Sequence, residues 1–347
     1  MQNELFVAGL GIMFIPFLWW SFTRLPLEKW QIIAAVPVEK TGSGSWKGMN
    51  YTFYGFFIAC AQLFAVVIMA VLTSSIGVSL GTIVAATAAI LAVSLPASKL
   101  IAAFFEKRAH TFTVAGASFT GLILAPPMVV LVNYSGFAFV PVMPFMAAAA
   151  VSYTFGEGIG RIACISFGCC YGRPVQTLGA FGKWIFRNYN FVFTGRTKKV
   201  VYEGGLENRE VVPIQAVTSI IYILTGLVSV CLFLKGFYGV SFMTAIAATQ
   251  LWRCFSETLR ADYRGGKKIS SYQIMAAVSV VYTLIVALLS QRLTAVQSAD
   301  ILLGLRTLAD PLFILFAQAV WIATFLFLGR SSMTGASIHF HVRRDEA

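Results

Sequence analysis

Long apolar stretches, separated by shorter polar ones, run through almost the whole chain. They cover roughly residues 4–23, 53–76, 79–105, 112–133, 138–162, 214–235, 239–258, 272–290 and 311–329. A helix needs about 20 apolar residues to cross the hydrocarbon of a bilayer, and most of these stretches reach that length. The pattern therefore predicts an all-α polytopic membrane protein with about eight or nine transmembrane helices.

The first apolar stretch lacks the basic start and the small-residue cleavage site of a signal peptide. It ends in "FLWW", and tryptophan is typical of the membrane–water interface. We therefore interpret it as a retained helix.

Three polar segments interrupt the predicted helices, at residues 24–50, 173–212 and 260–271. If all nine stretches cross the membrane, these segments lie on the same face and are expected to form a single small polar cap. Within 173–212, the alternation in "NFVFTGRTKKVVYEGG" predicts a possible β-hairpin with "GGLEN" as its turn.

Composition agrees with a membrane protein, since 58% of the residues are hydrophobic and 12% are charged. The formal net charge is +12, and the nine-span count puts nearly all lysines and arginines on the face of the cap. The positive-inside rule would make that face cytoplasmic. Alternatively, the basic face gathers anionic lipid headgroups. No nucleic-acid-binding motif is present.

The six cysteines do not show the spacing of a disulfide framework, and none of the three histidines lies near them. The sequence therefore predicts no metal site and no cofactor. It leaves open whether Cys169 or Cys170 acts as a nucleophile or only fills space at the end of a helix.

A few ionisable residues lie inside the apolar stretches, where a charge costs at least about 2.5 kcal/mol. Glu157 and Arg161 stand at i, i+4, and so do Arg253 and Glu257. Such pairs can neutralise each other for helix association. However, cations outnumber anions, and guanidinium groups match phosphate in geometry. We therefore predict a phospholipid-handling site made of Arg161 and Arg253 beneath the cap, with nearby glycines that let a headgroup approach the backbone.

Three motifs resemble those of the prolipoprotein diacylglyceryl transferase family. "GRIACISFGCCYGRP" matches its signature at Gly160, Arg161, Gly168 and Gly172, followed by Arg173. "RCFSETLR" matches an R-x-x-x-E-x-x-R pattern at Arg253, Glu257 and Arg260, and "TFYGFF" matches at Tyr54 and Gly55. Weaker matches are Lys99, Gln215 and Gln273. The motifs occur in the family's order over roughly residues 50–290.

The chain departs from the family pattern at several positions. Cys164, Phe167 and Cys169 stand where the signature has Asn, Asn and Glu, and Thr120 lies near the place of a family histidine. The chain therefore resembles a divergent member of the family.

The resemblance implies transfer of a diacylglyceryl group from phosphatidylglycerol, or a similar anionic phospholipid, to the cysteine thiol of a lipoprotein precursor, with release of glycerol phosphate. It implies catalytic roles for Arg161, Arg253, Glu257 and Tyr54. It implies substrate binding by Gly160, Gly168, Gly172, Arg173, Arg260, Lys99 and Gln215. The alternatives are a related transferase with another acceptor, or a non-catalytic protein that binds or moves phospholipid.

The resemblance also implies an enzyme of the bacterial cytoplasmic membrane. Residues 50–290 would form the catalytic membrane core, with 1–49 as an extra N-terminal helix and connector and 291–347 as an extra C-terminal helix and tail. The family's site opens to the extracytoplasmic leaflet, whereas the positive-inside count puts this face in the cytoplasm. The side to which the site opens therefore stays open.

Overall fold

The computed structural model describes residues 2–42, 44–106, 114–134, 139–262, 270–290 and 299–340. In this part of the chain, each of the nine predicted apolar stretches is a helix. These are α1 (Gln2–Arg24), α2 (Phe53–Ser74), α3 (Leu80–Glu106), α4 (Val114–Tyr134), α5 (Val142–Phe167), α8 (Ile214–Leu234), α9 (Tyr238–Ser256), α10 (Ser271–Ser290) and α12 (Pro311–Leu328). Short helices α6 (Ala180–Phe186), α7 (Lys199–Tyr202) and α11 (Ile301–Arg306) lie in the connections.

Five of the described helices are long and apolar enough to cross a membrane, namely α1, α2, α8, α10 and α12. Their lipid-facing character is clearest in α1 and α12, where few residues are buried in the protein. The chain is thus a mostly helical, multi-pass membrane protein. Membrane crossing by the other four long helices stays a prediction.

The structure also contains a three-stranded antiparallel sheet, which the prediction of an all-α fold did not include. It has the order β1 (Ile32–Gly42), β2 (Ser45–Thr52) and β5 (Arg330–His339). The segment predicted to be a connector is therefore a hairpin with Gly44 in the left-handed region, at φ 77°, and the C-terminal tail pairs with it. The domain boundary expected at residue 49 falls within β2.

The predicted hairpin in the cap forms only in part. Phe191–Val192 (β3) pairs antiparallel with Glu210–Val211 (β4), two residues each, and α7 replaces the rest of the predicted first strand. Lys198 and Val200 are both fully buried. The amides of Val201 and Tyr202 donate to the Lys198 carbonyl at 2.9 and 3.1 Å, and these local bonds close a helical turn in place of a strand.

Segment 173–212 is joined to the connector after α1. The Gln31 side chain donates to the Thr197 carbonyl at 2.7 Å and accepts from the Thr197 hydroxyl at 2.6 Å. The Lys198 ammonium donates to the carbonyls of Leu25 (3.1 Å) and Ser166 (2.7 Å). These bonds fix the cap on the C-terminal ends of α1 and α5.

Helix α5 lies at the centre of the molecule and packs against α2, α8 and α9. Small residues permit this close packing. A Cβ at Gly156 would lie 3.2 Å from Ala65, and one at Gly158 would lie 3.1 Å from Tyr222. These two glycines therefore serve helix packing rather than headgroup approach, and α5 continues through them without a break.

Candidate functional site

The C-terminal end of α5 is shaped by Gly168. Its φ of 74° is left-handed, and the amides of Gly168 and Cys169 both donate to the Cys164 carbonyl, at 2.8 and 3.1 Å. This arrangement is a helix C-cap that glycine adopts at little cost. The chain therefore turns back over the last turn of α5 at Gly168, within the signature motif.

Gly172 and Gly55 both lie where no side chain fits. A Cβ at Gly172 would overlap the Val212 carbonyl, and one at Gly55 would overlap the backbone of Gly329. Gly160 differs, because the nearest atom to a Cβ there would be in Ile58 at 3.8 Å. Gly172 and Gly55 are thus explained by backbone packing, whereas a Cβ at Gly160 would make only an ordinary van der Waals contact.

A small cleft lies between the ends of α5, α8 and α9 beneath the cap. It is lined by Arg161, Cys170, Ile214, Gln215, Thr218, Tyr222, Arg253, Ser256 and Arg260. Three arginines from two helices and the segment after α9 therefore converge on one space. The sequence predicted Arg161, Arg253, Arg260 and Gln215 for this site, and the structure brings these four together.

Arg161 is held by an ion pair within α5. Its guanidinium contacts the Glu157 carboxylate at 2.6 Å, and the two side chains are only 14% and 6% exposed. The i, i+4 spacing predicted this pair, and the structure contains it.

The sequence spacing would place Arg253, Glu257 and Arg260 along one face of a helix, but the structure does not. Helix α9 ends at Ser256, and Glu257–Leu259 is a 3₁₀ turn. Glu257 pairs with Arg260 at 3.7 Å, and Asp262 binds Arg260 through two hydrogen bonds of 2.8 and 2.9 Å. Among the described residues, no carboxylate forms an ion pair with Arg253.

Helix α8 supplies polar groups that the sequence analysis only partly identified. The Gln215 amide donates to the Cys169 carbonyl at 2.9 Å, while its carbonyl oxygen is buried without a hydrogen-bond partner in the described structure. Thr218 accepts from Trp252 at 2.9 Å, and Tyr222 donates to the Thr249 carbonyl at 2.8 Å. Their spacing of i, i+3 and i+7 within an apolar helix was the signal that would have identified them.

Asp262 is a second residue that the sequence analysis missed. Burial raises its pKa to about 6, although Arg260 opposes the shift. Its position two residues beyond the matched Arg260 was the only sequence signal.

Three other predicted site residues, Tyr54, Arg173 and Lys99, are not among the residues that line the cleft. Tyr54 packs on Phe167 with ring centroids 5.6 Å apart and has the three nearby thiols and Arg161 as electrostatic neighbours. Arg173 is exposed and does not line the cleft; its amide donates to the Leu259 carbonyl at 2.9 Å. Lys99 lies in α3, and its side chain is outside the described residues.

Three cysteines meet beside the cleft, although the sequence predicts no metal site. The sulfur atoms of Cys164, Cys169 and Cys170 all lie within 4.8 Å of one another. Hydrogen bonds from the other two thiols hold the pKa of Cys170 well below its ordinary value, and Arg260 and Arg161 lower it further against the effect of burial.

Comparison with known proteins agrees with the motif positions. No curated protein matches the chain. A family model described as prolipoprotein diacylglyceryl transferase matches residues 45–289. That range includes α2 to α10, the cap and every residue that lines the cleft. The chain therefore belongs to the prolipoprotein diacylglyceryl transferase family.

Proposed function

We propose that the chain transfers a diacylglyceryl group from phosphatidylglycerol, or a similar anionic glycerophospholipid, to a cysteine thiol and releases glycerol phosphate. The observation that carries this proposal is the convergence of Arg161, Arg253 and Arg260 on one cleft at the end of the central helix. Membership of a transferase family supports it.

The three arginines suit the charge that develops in the reaction. As the carbon–oxygen bond to the phosphate breaks, negative charge grows on the leaving phosphate oxygen, and fixed cations stabilise it. Arg161 and Arg260 are oriented by carboxylates, whereas Arg253 forms no ion pair with a carboxylate in the described part of the chain. We therefore assign the main phosphate contact to Arg253.

Gln215 suits the rest of the headgroup. Its buried carbonyl oxygen lacks a partner, and a buried acceptor without a hydrogen bond costs about 1–3 kcal/mol. A glycerol hydroxyl of the headgroup would supply the missing donor. This pairing favours a glycerol-bearing lipid over one without hydroxyl groups.

The acceptor thiol must also lose a proton. Glu157 is held by Arg161 at 2.6 Å, while Glu257 is 3.7 Å from Arg260. We assign proton acceptance to Glu257 because its pairing is the weaker, and we assign Tyr54 a polar role beside Arg161 and the three thiols.

The test uses purified protein in phosphatidylglycerol vesicles with a peptide that carries a lipoprotein-type cysteine. We expect release of glycerol phosphate that falls about 10²–10³-fold in Arg253→Ala, the range for loss of one preorganised donor. Arg209→Ala is the matched control, since Arg209 is an exposed cap arginine. Equal rates in Arg253→Ala and wild type would refute the assignment.

A second candidate is a phospholipid-binding protein without turnover. The observation that favours it is Thr120, near the place of the family histidine, whose hydroxyl donates to the Gly116 carbonyl of its own helix at 2.9 Å. It provides no base. Under this candidate, anionic lipid co-purifies with the wild type but not with Arg253→Ala, and no thiol acceptor yields glycerol phosphate.

We further propose that the chain resides in the bacterial cytoplasmic membrane with its cap facing outward, where exported lipoproteins present their cysteine. The variant Arg209→Cys places a thiol on the exposed part of the cap. Labelling of intact cells by a membrane-impermeant maleimide, above the wild-type background, supports this orientation. Labelling only after lysis would exclude lipoprotein precursors as the acceptor.

A further inference from the structure

The fold brings three thiols together at the end of α5. Cys164 lies in the last turn of the helix, and Cys169 and Cys170 follow the Gly168 cap. Cys170 has a left-handed φ of 56°, which is uncommon for a residue other than glycine and costs on the order of 1–2 kcal/mol. This backbone turn, rather than a spacing in the sequence, places all three sulfur atoms within 4.8 Å of one another.

The surrounding contacts hold the thiols in place. Gln215 binds the Cys169 carbonyl at 2.9 Å. Gly172 packs directly on the Val212 backbone, and the Tyr171 carbonyl accepts from the Ala261 amide at 3.1 Å. The loop is thus anchored on both α8 and the segment after α9, so the cluster is preorganised before any ligand binds.

The donor set and its electrostatics fit one divalent ion that prefers sulfur. In tetrahedral zinc sites the zinc–sulfur distance of about 2.3 Å puts the sulfur atoms about 3.8 Å apart, so the cluster need contract by only about 1 Å. Three thiolates and one divalent cation carry a net charge of −1. Three arginines, Arg161, Arg253 and Arg260, line the same cleft as Cys170, so the surroundings tolerate that charge.

No histidine or carboxylate in the described part of the chain completes the cluster. Three protein ligands with one open position are typical of zinc sites that bind a further ligand, whereas structural zinc sites have four. Cys170 lines the cleft, so a fourth ligand can reach the cluster from the cleft side.

We propose that Cys164, Cys169 and Cys170 bind one Zn²⁺ ion, with the fourth coordination position open to the cleft. That position is then available to a thiol or water that enters the cleft. The site goes beyond the proposed transfer reaction and does not rest on it, because metal binding is measurable without turnover.

The first experiment needs no variant. Purified full-length protein in detergent is treated with a chelator under reducing conditions and then alkylated with or without Zn²⁺, and each cysteine is quantified by mass spectrometry. We expect one equivalent of Zn²⁺ to slow alkylation of Cys169 and Cys170 together at least about tenfold. Cys60, Cys231 and Cys254 are the internal controls. Equal alkylation of Cys169 and Cys170 with and without Zn²⁺ would overturn the proposal.

The second experiment identifies the ligands. Cd²⁺ is the probe, because its thiolate complexes absorb in the ultraviolet. We expect the wild type to saturate at one Cd²⁺ per chain and Cys164→Ser to bind at least about 100-fold more weakly. The Cd²⁺ affinity of Cys254→Ser should equal that of the wild type, because Cys254 lies outside the cluster and donates to the Gln273 carbonyl.

A variant that fails to fold gives no affinity, so Cys169→Ser and Cys170→Ser are measured in parallel. Each is checked by thermal unfolding. Wild-type Cd²⁺ affinity in any one of the three folded serine variants would contradict a three-thiolate site.

Discussion

The glutamate–arginine pairs of α5 and α9 have the same spacing in the sequence but different fates in the structure. Glu157 and Arg161 form an ion pair of 2.6 Å. Arg253 and Glu257 do not, because α9 ends at Ser256 and Glu257 turns toward Arg260. The order of the charges matters too, since the acid precedes the base favourably only in α5. The position of a helix end therefore decides whether an i, i+4 pair closes.

This difference gives the two arginines separate roles in our account. Arg161 lines the cleft with its charge neutralised by Glu157 of the same helix. Arg253 keeps its charge for a ligand. Single substitutions and a double-mutant cycle test that division, and the pH dependence of stability tests how the end of α5 is held.

Replacing Arg161 should destabilise the protein, whereas replacing Arg253 should not. Arg161→Ala leaves the buried Glu157 carboxylate without its cation, and breaking such a pair costs about 3–5 kcal/mol. Arg253→Ala breaks no ion pair of the described structure and should stay within about 0.5 kcal/mol. Thermal unfolding of both variants in detergent measures the difference, and equal losses would contradict the division of roles.

The stability of the protein should depend on pH through Lys198, which binds the C-terminal end of α5. Burial lowers the pKa of Lys198 to about 7, with the nearby Glu28 opposing the shift. The folded protein thus binds the proton less tightly than the unfolded chain, whose lysine has an ordinary pKa of 10.5. Stability from this group is fully present above pH 10.5, decreases as the pH falls below 10.5, and is completely lost once the pH has fallen through the folded pKa of about 7.

We expect the free energy of unfolding to rise by a few kcal/mol between pH 7 and 10 in the wild type. Lys198→Met removes the titrating amine and is the comparison variant. It should lose that rise, although it also leaves the Leu25 and Ser166 carbonyls without a donor. An unchanged pH dependence in Lys198→Met would show that Lys198 is not its source.

A double-mutant cycle measures the smallest effect and compares the pairs directly. Glu157→Gln combined with Arg161→Gln should show a coupling energy of about 1–3 kcal/mol. Glu257→Gln combined with Arg253→Gln should show a coupling near zero. Similar coupling in both cycles would mean that the two pairs are equivalent after all.

The helices were predictable because each apolar stretch carries its own signal. The stretch predicted at 214–235 is α8 (Ile214–Leu234), and that at 53–76 is α2 (Phe53–Ser74). The sheet was not predictable. Its strands β2 and β5 are far apart in the chain, and β5 ("RSSMTGASIH") lacks a clear apolar alternation.

The candidate site shows the same limit. The motifs identified Arg161, Arg253, Arg260 and Gln215, because each of these residues matches a position of the family pattern. The convergence of the cysteines was not in the pattern, since it depends on the left-handed φ values of Gly168 and Cys170. The separation of Arg253 from Glu257 depends on where α9 ends. The apolar stretch gave no sign of that end, because it extended to residue 258.

The most direct test of the proposed transfer is the balance between its two products. Wild-type protein in phosphatidylglycerol vesicles is given a cysteine peptide, and mass spectrometry of the peptide is compared with the glycerol phosphate released. We predict one diacylglyceryl-modified peptide for each glycerol phosphate. Glycerol phosphate without modified peptide, or neither product, would contradict diacylglyceryl transfer by this protein.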